Sequence, residues 1–411
     1  MAVVKPFKAV RPAKDRADKV VALPYDVMNR KEAVQMAAGN PCSFLHISRA
    51  EIDLPEMKDP YDKSVYEKAK QNIEENLDSG VFIEEERPAL YIYRQQMNGR
   101  HQTGIVGCVS IDDYENNIIK KHEFTRVEKE IDRINHFDVC NANTEPVFLT
   151  YRDNLKIRTL IEGYIQGREP EYDFVSRDGV GHTLWVIDDN DLIKSLCGLF
   201  DQVPDFYIAD GHHRSASACK VGELRREQHP DYTGEEEFNF FMAVIFPDKD
   251  LRIYNRVVKD LAGYTKEAFL QKIAEAGFTV TDEGSMPYRP DAIHEFSMYL
   301  EGHWYKLVCE ERIIPDDLIG ALDVSILQQN LLAPILKIED PRIDQRIDFV
   351  GGIRGLKELE RRATLDMKVA FAVYPVSMEE LMNIADHGEI MPPKSTWFEP
   401  KIGSGLFMHR L

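Results

Sequence analysis

The chain contains no Cys-x-x-Cys pair, no internal repeat, no heptad pattern and no low-complexity tract. No apolar run approaches the roughly 20 residues that a membrane span needs. Its six cysteines, Cys42, Cys108, Cys140, Cys197, Cys219 and Cys309, are scattered. That spacing argues against a zinc cluster and against a disulfide framework, and it fits a reducing compartment. The opening residues, Met-Ala-Val-Val-Lys-Pro-Phe-Lys, lack the apolar stretch of a secretory signal. A cytoplasmic location without a membrane partner is therefore the expectation. Basic residues are few: 51 Lys and Arg face 70 Asp and Glu, a formal net charge of −19. An acidic body repels nucleic acid unless a local basic patch overrides it, so a nucleic-acid partner is not expected. A small anion held in a local pocket is untouched by that argument.

What is present fits a soluble globular protein: 43% of the 411 residues are hydrophobic and 29% are charged. Strand-like runs include Phe44 to Ile47, Val147 to Tyr151, Thr183 to Ile187 and the continuously apolar Phe240 to Phe246. A further strand-like run is Val20 to Leu23, and Leu251 to Val258 reads the same way. Asn98-Gly99 marks a hairpin between two more strands. Val65, Ala69, Ile73 and Leu77 form a helical stripe, and Ser377 with Glu380 makes a capping box. Residues 115–145 read as mostly polar and irregular. This alternation predicts an α/β (mixed α+β) protein.

Three stretches carry candidate chemistry. The first is Phe206-Tyr207-Ile208-Ala209-Asp210-Gly211-His212-His213-Arg214-Ser215, which reads as a short strand, a glycine turn and a helix start. A helix N-terminus offers unpaired N–H groups and a positive dipole end to an anion. Arg214 adds a bidentate phosphate donor. Gly211 permits a positive φ or close approach of a ligand. The turn therefore reads as a phosphate site, with Asp210 and the two histidines, His212 and His213, free for metal or proton work. The second is Lys120 to Arg133. His122-Glu123 suggests a metalloprotease helix, but the second histidine of that pattern would fall at Arg126, so the pattern fails. Glu123 remains a candidate general base or magnesium ligand. Thr125, Arg126 and Arg133, with Arg49 from the N-terminal region, are candidate substrate contacts. The plainer reading of Arg49 and of Pro24-Tyr25-Asp26 is turn chemistry. The third is the tail, where Lys394, Ser395, Thr396 and Lys401 stand among Pro and Gly beside Trp397-Phe398. Two lysines and several hydroxyls on a loop suit phosphate; a docked strap is the plainer reading. His46, His101 and His182 receive no function.

Four ordered blocks, Pro24-Tyr25-Asp26-Val27, His122-Glu123-Phe124-Thr125 through Asp132-Arg133, Ala209 to Arg214, and Met391-Pro392-Pro393-Lys394-Ser395-Thr396 through Lys401, give nearly the whole chain a resemblance to the prokaryotic family domain of unknown function 1015. Asp210-Gly211-His212-His213-Arg214, after a strand and before an alanine-rich helix, also resembles the nucleotide-binding signature of the ParB/sulfiredoxin superfamily. That resemblance implies a ParB/sulfiredoxin-like core at 146–260, within a larger mixed-sheet protein. It leaves an N-terminal α/β region at 1–145 and a C-terminal α/β region at 261–411 whose tail returns to the site. Sulfiredoxins carry a cysteine where this chain has His212, so sulfinic-acid repair is not implied. ParB proteins follow the turn with a helix-turn-helix, which is not evident here. Free serine kinases of the superfamily hold a nucleotide phosphate at this turn, and an acid activates the substrate hydroxyl.

The last comparison implies a nucleotide-dependent phosphotransferase acting on a small hydroxylated metabolite such as free serine, with ATP or ADP and Mg2+. Glu123, Asp210 and His213 would then be catalytic, with Asp210 and Glu123 on the metal. Gly211, His212, Arg214, Ser215, Lys394, Ser395, Thr396 and Lys401 would hold the nucleotide phosphates. A homodimer is among the expected assemblies. The alternatives are a ParB-like nucleotide-binding regulator or DNA-associated protein without turnover, and a metabolite-binding protein with a decayed site.

Overall fold

The Asn98-Gly99 pair closes a two-residue hairpin: Leu90–Met97 runs antiparallel to Arg100–Ser110, with Met97 opposite Arg100. The structure is a computed structural model and describes residues 2–56, 59–248, 255–341, 343–350, 355–392 and 398–411. The protein is a mixed α/β protein built on several sheets. It divides into two compact units, 1–250 with 400–411, and 251–399.

The hairpin lies inside a nine-stranded mixed sheet of the first unit. From one edge the order is Ile119–Lys120, Phe206–Asp210, Val147–Tyr151, Phe240–Pro247, Arg100–Ser110, Leu90–Met97, Gly181–Ile187 and Tyr172–Val175, with Val4–Lys5 added on Arg100–Ser110. Phe240–Pro247 sits between two strands and is buried from Phe240 to Phe246, as its unbroken apolar run requires. Phe206–Asp210 runs parallel to Ile119–Lys120 and antiparallel to Val147–Tyr151. Its register shifts between Ile208 and Asp210. An extra residue of this kind bends a strand and re-aims its side chains, and here it comes just before the glycine turn.

Two helices cover this end of the sheet. His212–Gln228 follows the turn, and its small residues let it lie close to its neighbours. A Cβ on Gly222 would stand 2.5 Å from the Phe238 carbonyl oxygen and 2.7 Å from Ile111 Cδ1, so only glycine fits there. Val127–Cys140 is a helix where the sequence suggests irregular chain. Its inward face is unusual: Asp132, Arg133 and His136 are buried with Phe137 and Cys140. Val127 and Ile131 stand outside, 72% and 51% exposed. That inversion hides the apolar period on which a helix reading depends.

The N-terminal segment also differs from expectation. Phe44 to Ile47 is not a strand; Leu45–Ser48 is a short helix. Val20 to Leu23 contains the end of the helix Ala17–Val20 and a single bridge from Ala22 to Ser404. A four-stranded sheet, ordered Phe82–Glu84, Ala9–Pro12, Met408–Arg410 and Ala142–Asn143, takes the chain end as an inner strand. The tail is thus tied into the first unit at Ser404 and again at Met408–Arg410.

The second unit carries a six-stranded antiparallel sheet, ordered Phe278–Gly284, His303–Cys309, Glu295–Leu300, Val369–Val373, Asn255–Val258 and Ile347–Val350. Residues 251–254, also read as strand, lie outside the described residues. The Ser377–Glu380 capping box forms as the sequence suggests and starts the helix Met378–Asp386. Among the described residues no helix is long and apolar enough to cross a membrane.

Candidate functional site

The turn between strand and helix is made by Gly211, which adopts φ +96° and serves as the N-cap of His212–Gln228. That φ belongs to the left-handed region that L side chains seldom occupy. A Cβ there would also meet the Arg214 guanidinium at 3.1–3.2 Å. Glycine therefore lets Arg214 fold back over the turn. Its Nη2 donates to Asp210 Oδ2 at 2.9 Å, and its Nη1 donates to the Pro146 carbonyl. Lys401 from the tail donates to the other Asp210 oxygen, Oδ1, at 3.0 Å. One carboxylate thus gathers two cations at a helix N-terminus. Burial alone would raise the Asp210 pKa, but Lys401 and Arg214 outweigh it and hold the carboxyl at about 2. Asp210 is an organiser of positive charge, and a poor base near neutral pH.

The three histidines are held by the Ile119–Lys120 edge and the loop after it. His212 is buried, and its Nε2 accepts from the His122 backbone N–H at 3.4 Å. The His122 ring stands edge-on to it, with ring centres 4.5 Å apart. His212 Nδ1 lies 3.8 Å from Glu123 Oε2, and Glu123 itself is exposed. His213 is half-buried, and its Nε2 accepts from the Arg126 backbone N–H at 2.9 Å. Burial, with His122 beside it, pushes the His212 pKa well below the usual histidine value, and burial likewise lowers that of His213. Both rings are neutral hydrogen-bonding groups near pH 7.

Behind the turn is a buried charged layer. Arg133 is 4% exposed; its Nε and Nη2 donate to Asp132 Oδ2 at 3.0 and 2.9 Å. Its guanidinium lies over the Tyr25 ring at 4.1 Å, and its Nη1 is 3.9 Å from Glu145 Oε2. Ser404 Oγ donates to Glu145 Oε1 at 2.6 Å, and the Tyr25 N–H donates to the same oxygen at 3.4 Å. Burial raises the Glu145 pKa against the pull of Arg214 and Arg133. Arg133 Nη1, Glu145 Oε2, Arg214 Nε and both His122 ring nitrogens are buried with no hydrogen-bond partner among the described residues. Buried polar groups are rarely left so, and these five atoms belong to the turn and the layer behind it.

The structure thus brings Asp210, Gly211, His212, His213, Arg214, Lys401 and Glu123 together, with Arg126 contributing through its backbone and Arg133 from the layer behind. Other candidates point elsewhere. Arg49 donates to Glu51 at 2.6 Å and to the Tyr25 and Met28 carbonyls at 2.9 and 2.8 Å, so it clasps the turn of residues 25–28. Thr125 Oγ1 donates to Glu130 at 2.7 Å. Ser215 is fully buried, and its N–H and hydroxyl both donate to the Gly211 carbonyl, at 2.9 and 3.1 Å. Lys394, Ser395 and Thr396 lie outside the described residues. Sequence reasoning missed His122 and Glu145 as site members, and it left Tyr25 as turn chemistry. The His122-Glu123 pair gave a signal for the first; Glu145, between Thr144 and Pro146, gave none.

Asp210 is not placed to hold magnesium. Both Asp210 oxygens face cations, and among the described residues no three His, Cys, Asp or Glu side chains gather as a metal site.

The His122 environment has a pH consequence. Burial holds this ring at about 4, against about 6.5 for a free histidine. On acidification the unfolded chain binds the proton before the folded one does. The residue's contribution to stability is full above pH ~6.5 and is lost as the pH falls towards ~4. His182, also held at about 4 by burial, adds to the same window. Urea titrations of His122→Phe across this range should show a shallower decline than the parent protein. An unchanged slope would mean that His122 is not buried and neutral.

These features define a mixed α/β protein with a cationic strand–turn–helix site closed by its own tail. The chain belongs to the family described as protein of unknown function DUF1015, whose model matches residues 4–325. Among solved structures it is similar to C-terminally truncated SbnI from Staphylococcus aureus: 10% identity, TM-score 0.38, covering 74% of this chain and 87% of that one. It is also similar to a free serine kinase variant in complex with AMP, at 14% identity and TM-score 0.36, covering 73% and 92%. A conserved hypothetical protein from Pyrococcus furiosus is similar at 15% identity and TM-score 0.32, covering 73% and 95%. No curated protein matches the chain.

Proposed function

We propose that the protein is a nucleotide-dependent phosphotransferase that moves a phosphoryl group from ATP or ADP to a small hydroxylated metabolite, free serine being the first to test. The observation that carries this reading is Asp210 holding Arg214 and Lys401 at 2.9 and 3.0 Å beside the N-terminus of His212–Gln228. Phosphoryl transfer asks mainly for positioning and for neutralisation of charge on the transferred group. Two cations fixed by one carboxylate, together with helix N–H groups, supply both without reorganisation. His212 and His213, neutral and partly committed to backbone N–H groups, add polar contacts rather than charge.

In the proposed reaction the acceptor hydroxyl oxygen forms a bond to the terminal phosphorus as the phosphorus–oxygen bond to the nucleotide breaks. The leaving oxygen keeps the bonding pair, and Arg214 and Lys401 face the charge that develops. Glu123 takes the hydroxyl proton: it is exposed, and its Oε2 lies 3.8 Å from Nδ1 of the neutral His212 ring. Phe124, 75% exposed next to Glu123, offers a ring on which a nucleobase can stack.

Phosphorus NMR on the full chain with ATP or ADP, magnesium and a panel of hydroxylated metabolites tests the reading. A new phosphomonoester signal that disappears in Glu123→Gln is the expected result. Absence of phosphorylated product with either nucleotide across the panel would count decisively against transfer.

A further inference from the structure

A cavity of about 240 Å³, bordered by Lys401 and Gly403 of the tail, lies wholly within the first unit. Its floor is apolar, from Val21, Ala22, Leu23 and Leu45. One wall is His182, 3% exposed, whose ring is stacked between Phe174 and Tyr93 with centre separations of 5.2 and 5.9 Å. Both its nitrogens are used: Nδ1 lies 2.6 Å from the Tyr93 hydroxyl and Nε2 lies 2.9 Å from Ser176 Oγ. Ser176 in turn donates to Asp178. The wall is therefore fixed and neutral, and needs nothing from a ligand.

The charge is elsewhere in the lining. Asp18 and Lys19 face the cavity from the N-terminal segment, and Arg177 and Asp178 from the turn between Tyr172–Val175 and Gly181–Ile187. Arg177 is held in place by its Nη1 donating to the Met36 carbonyl at 3.0 Å. An anionic or a cationic ligand would satisfy one member of each pair and oppose the other. A molecule carrying both charges satisfies both. At roughly 30 Å³ for each water-sized group, the space takes about eight such groups, which is the size of a small metabolite and too little for a nucleotide. Lys401 also lines the cavity, so the same residue borders this space and the Asp210 cluster.

We infer that this cavity is a binding site for a small zwitterion, an α-amino acid, lying against the tail that carries Lys401. Its use as the acceptor pocket rests on the phosphotransferase reading; binding itself does not. Lys401 then has a second consequence: an amino acid filling the cavity presses on the segment that positions one of the two phosphate cations, so occupancy and nucleotide binding are coupled.

Isothermal titration of the full chain with a panel of L-amino acids, with glycerate and ethanolamine as single-charge probes, tests this. At least one amino acid is expected to bind, and the single-charge probes about tenfold or more weakly. Met36→Trp, at an exposed position of the lining, and Arg177→Glu are each expected to weaken that amino acid about tenfold while leaving ATP binding and thermal unfolding in place. No amino acid binding, glycerate or ethanolamine binding as well as the amino acid, or full affinity in Met36→Trp would each overturn the assignment. Amino-acid binding in a protein that binds no nucleotide would uphold the pocket and sink the phosphotransferase reading instead.

Discussion

Lys401→Met is expected to lower phosphoryl transfer by about 100- to 1,000-fold, the range found when one pre-placed donor is removed from developing charge. The side chain is 10% exposed and has its ammonium on Asp210 Oδ1. Methionine keeps most of the stem and removes the charge. Asp210 retains Arg214, so the turn should persist and the loss should fall on turnover and nucleotide affinity rather than on folding. Lys401→Arg should recover part of the activity, because a guanidinium can still meet both a carboxylate and a phosphate. Steady-state kinetics beside a thermal melt separate the two effects. Unchanged kcat/KM in Lys401→Met would show that the tail lysine only straps the chain end down.

Arg133→Met is expected to cost about 3–5 kcal/mol, the usual loss when one partner of a buried ion pair is removed. Arg133 touches Asp132 through two hydrogen bonds, faces Glu145 and covers Tyr25. Without it, two carboxylates remain inside the protein with one cation fewer. Glu145 already has a raised pKa from burial. In the variant it should take a proton more readily, so the penalty relative to the parent should shrink as the pH is lowered. Glu145→Gln in the same background should restore part of the loss, giving a double-mutant coupling well above measurement error. Urea unfolding at neutral and acid pH reads all of this. Additive losses at every pH would mean that Arg133 and Glu145 do not share charge.

The central turn is legible because its signals are local. Asp210, Gly211 and the small residues after them announce strand end, left-handed turn and close-packed helix, and all three form there. The layer behind it is not legible, for a physical reason. Val127–Cys140 buries Asp132, Arg133 and His136 and exposes Val127 and Ile131. A reader of hydrophobic period sees polar chain there. The polar face can be buried because Tyr66 donates to Asp132, Tyr25 and Glu145 meet Arg133, and Thr144 meets His136, from separate parts of the sequence. Such compensation leaves no mark in any one segment. Lys401 was readable as a tail lysine suited to phosphate. Its pairing with Asp210 depends on the tail strand Met408–Arg410 entering a sheet between Ala9–Pro12 and Ala142–Asn143, which no short-range pattern encodes.

Calorimetric titration of ATP against adenosine, in the parent protein and in Lys401→Met, bears most directly on the claim that the Asp210 turn is a phosphate site. ATP should bind far more tightly than adenosine to the parent protein, and that advantage should shrink in the variant while adenosine affinity stays the same. Equal affinity for the two ligands in the parent protein, or an ATP advantage untouched by the loss of Lys401, would contradict it.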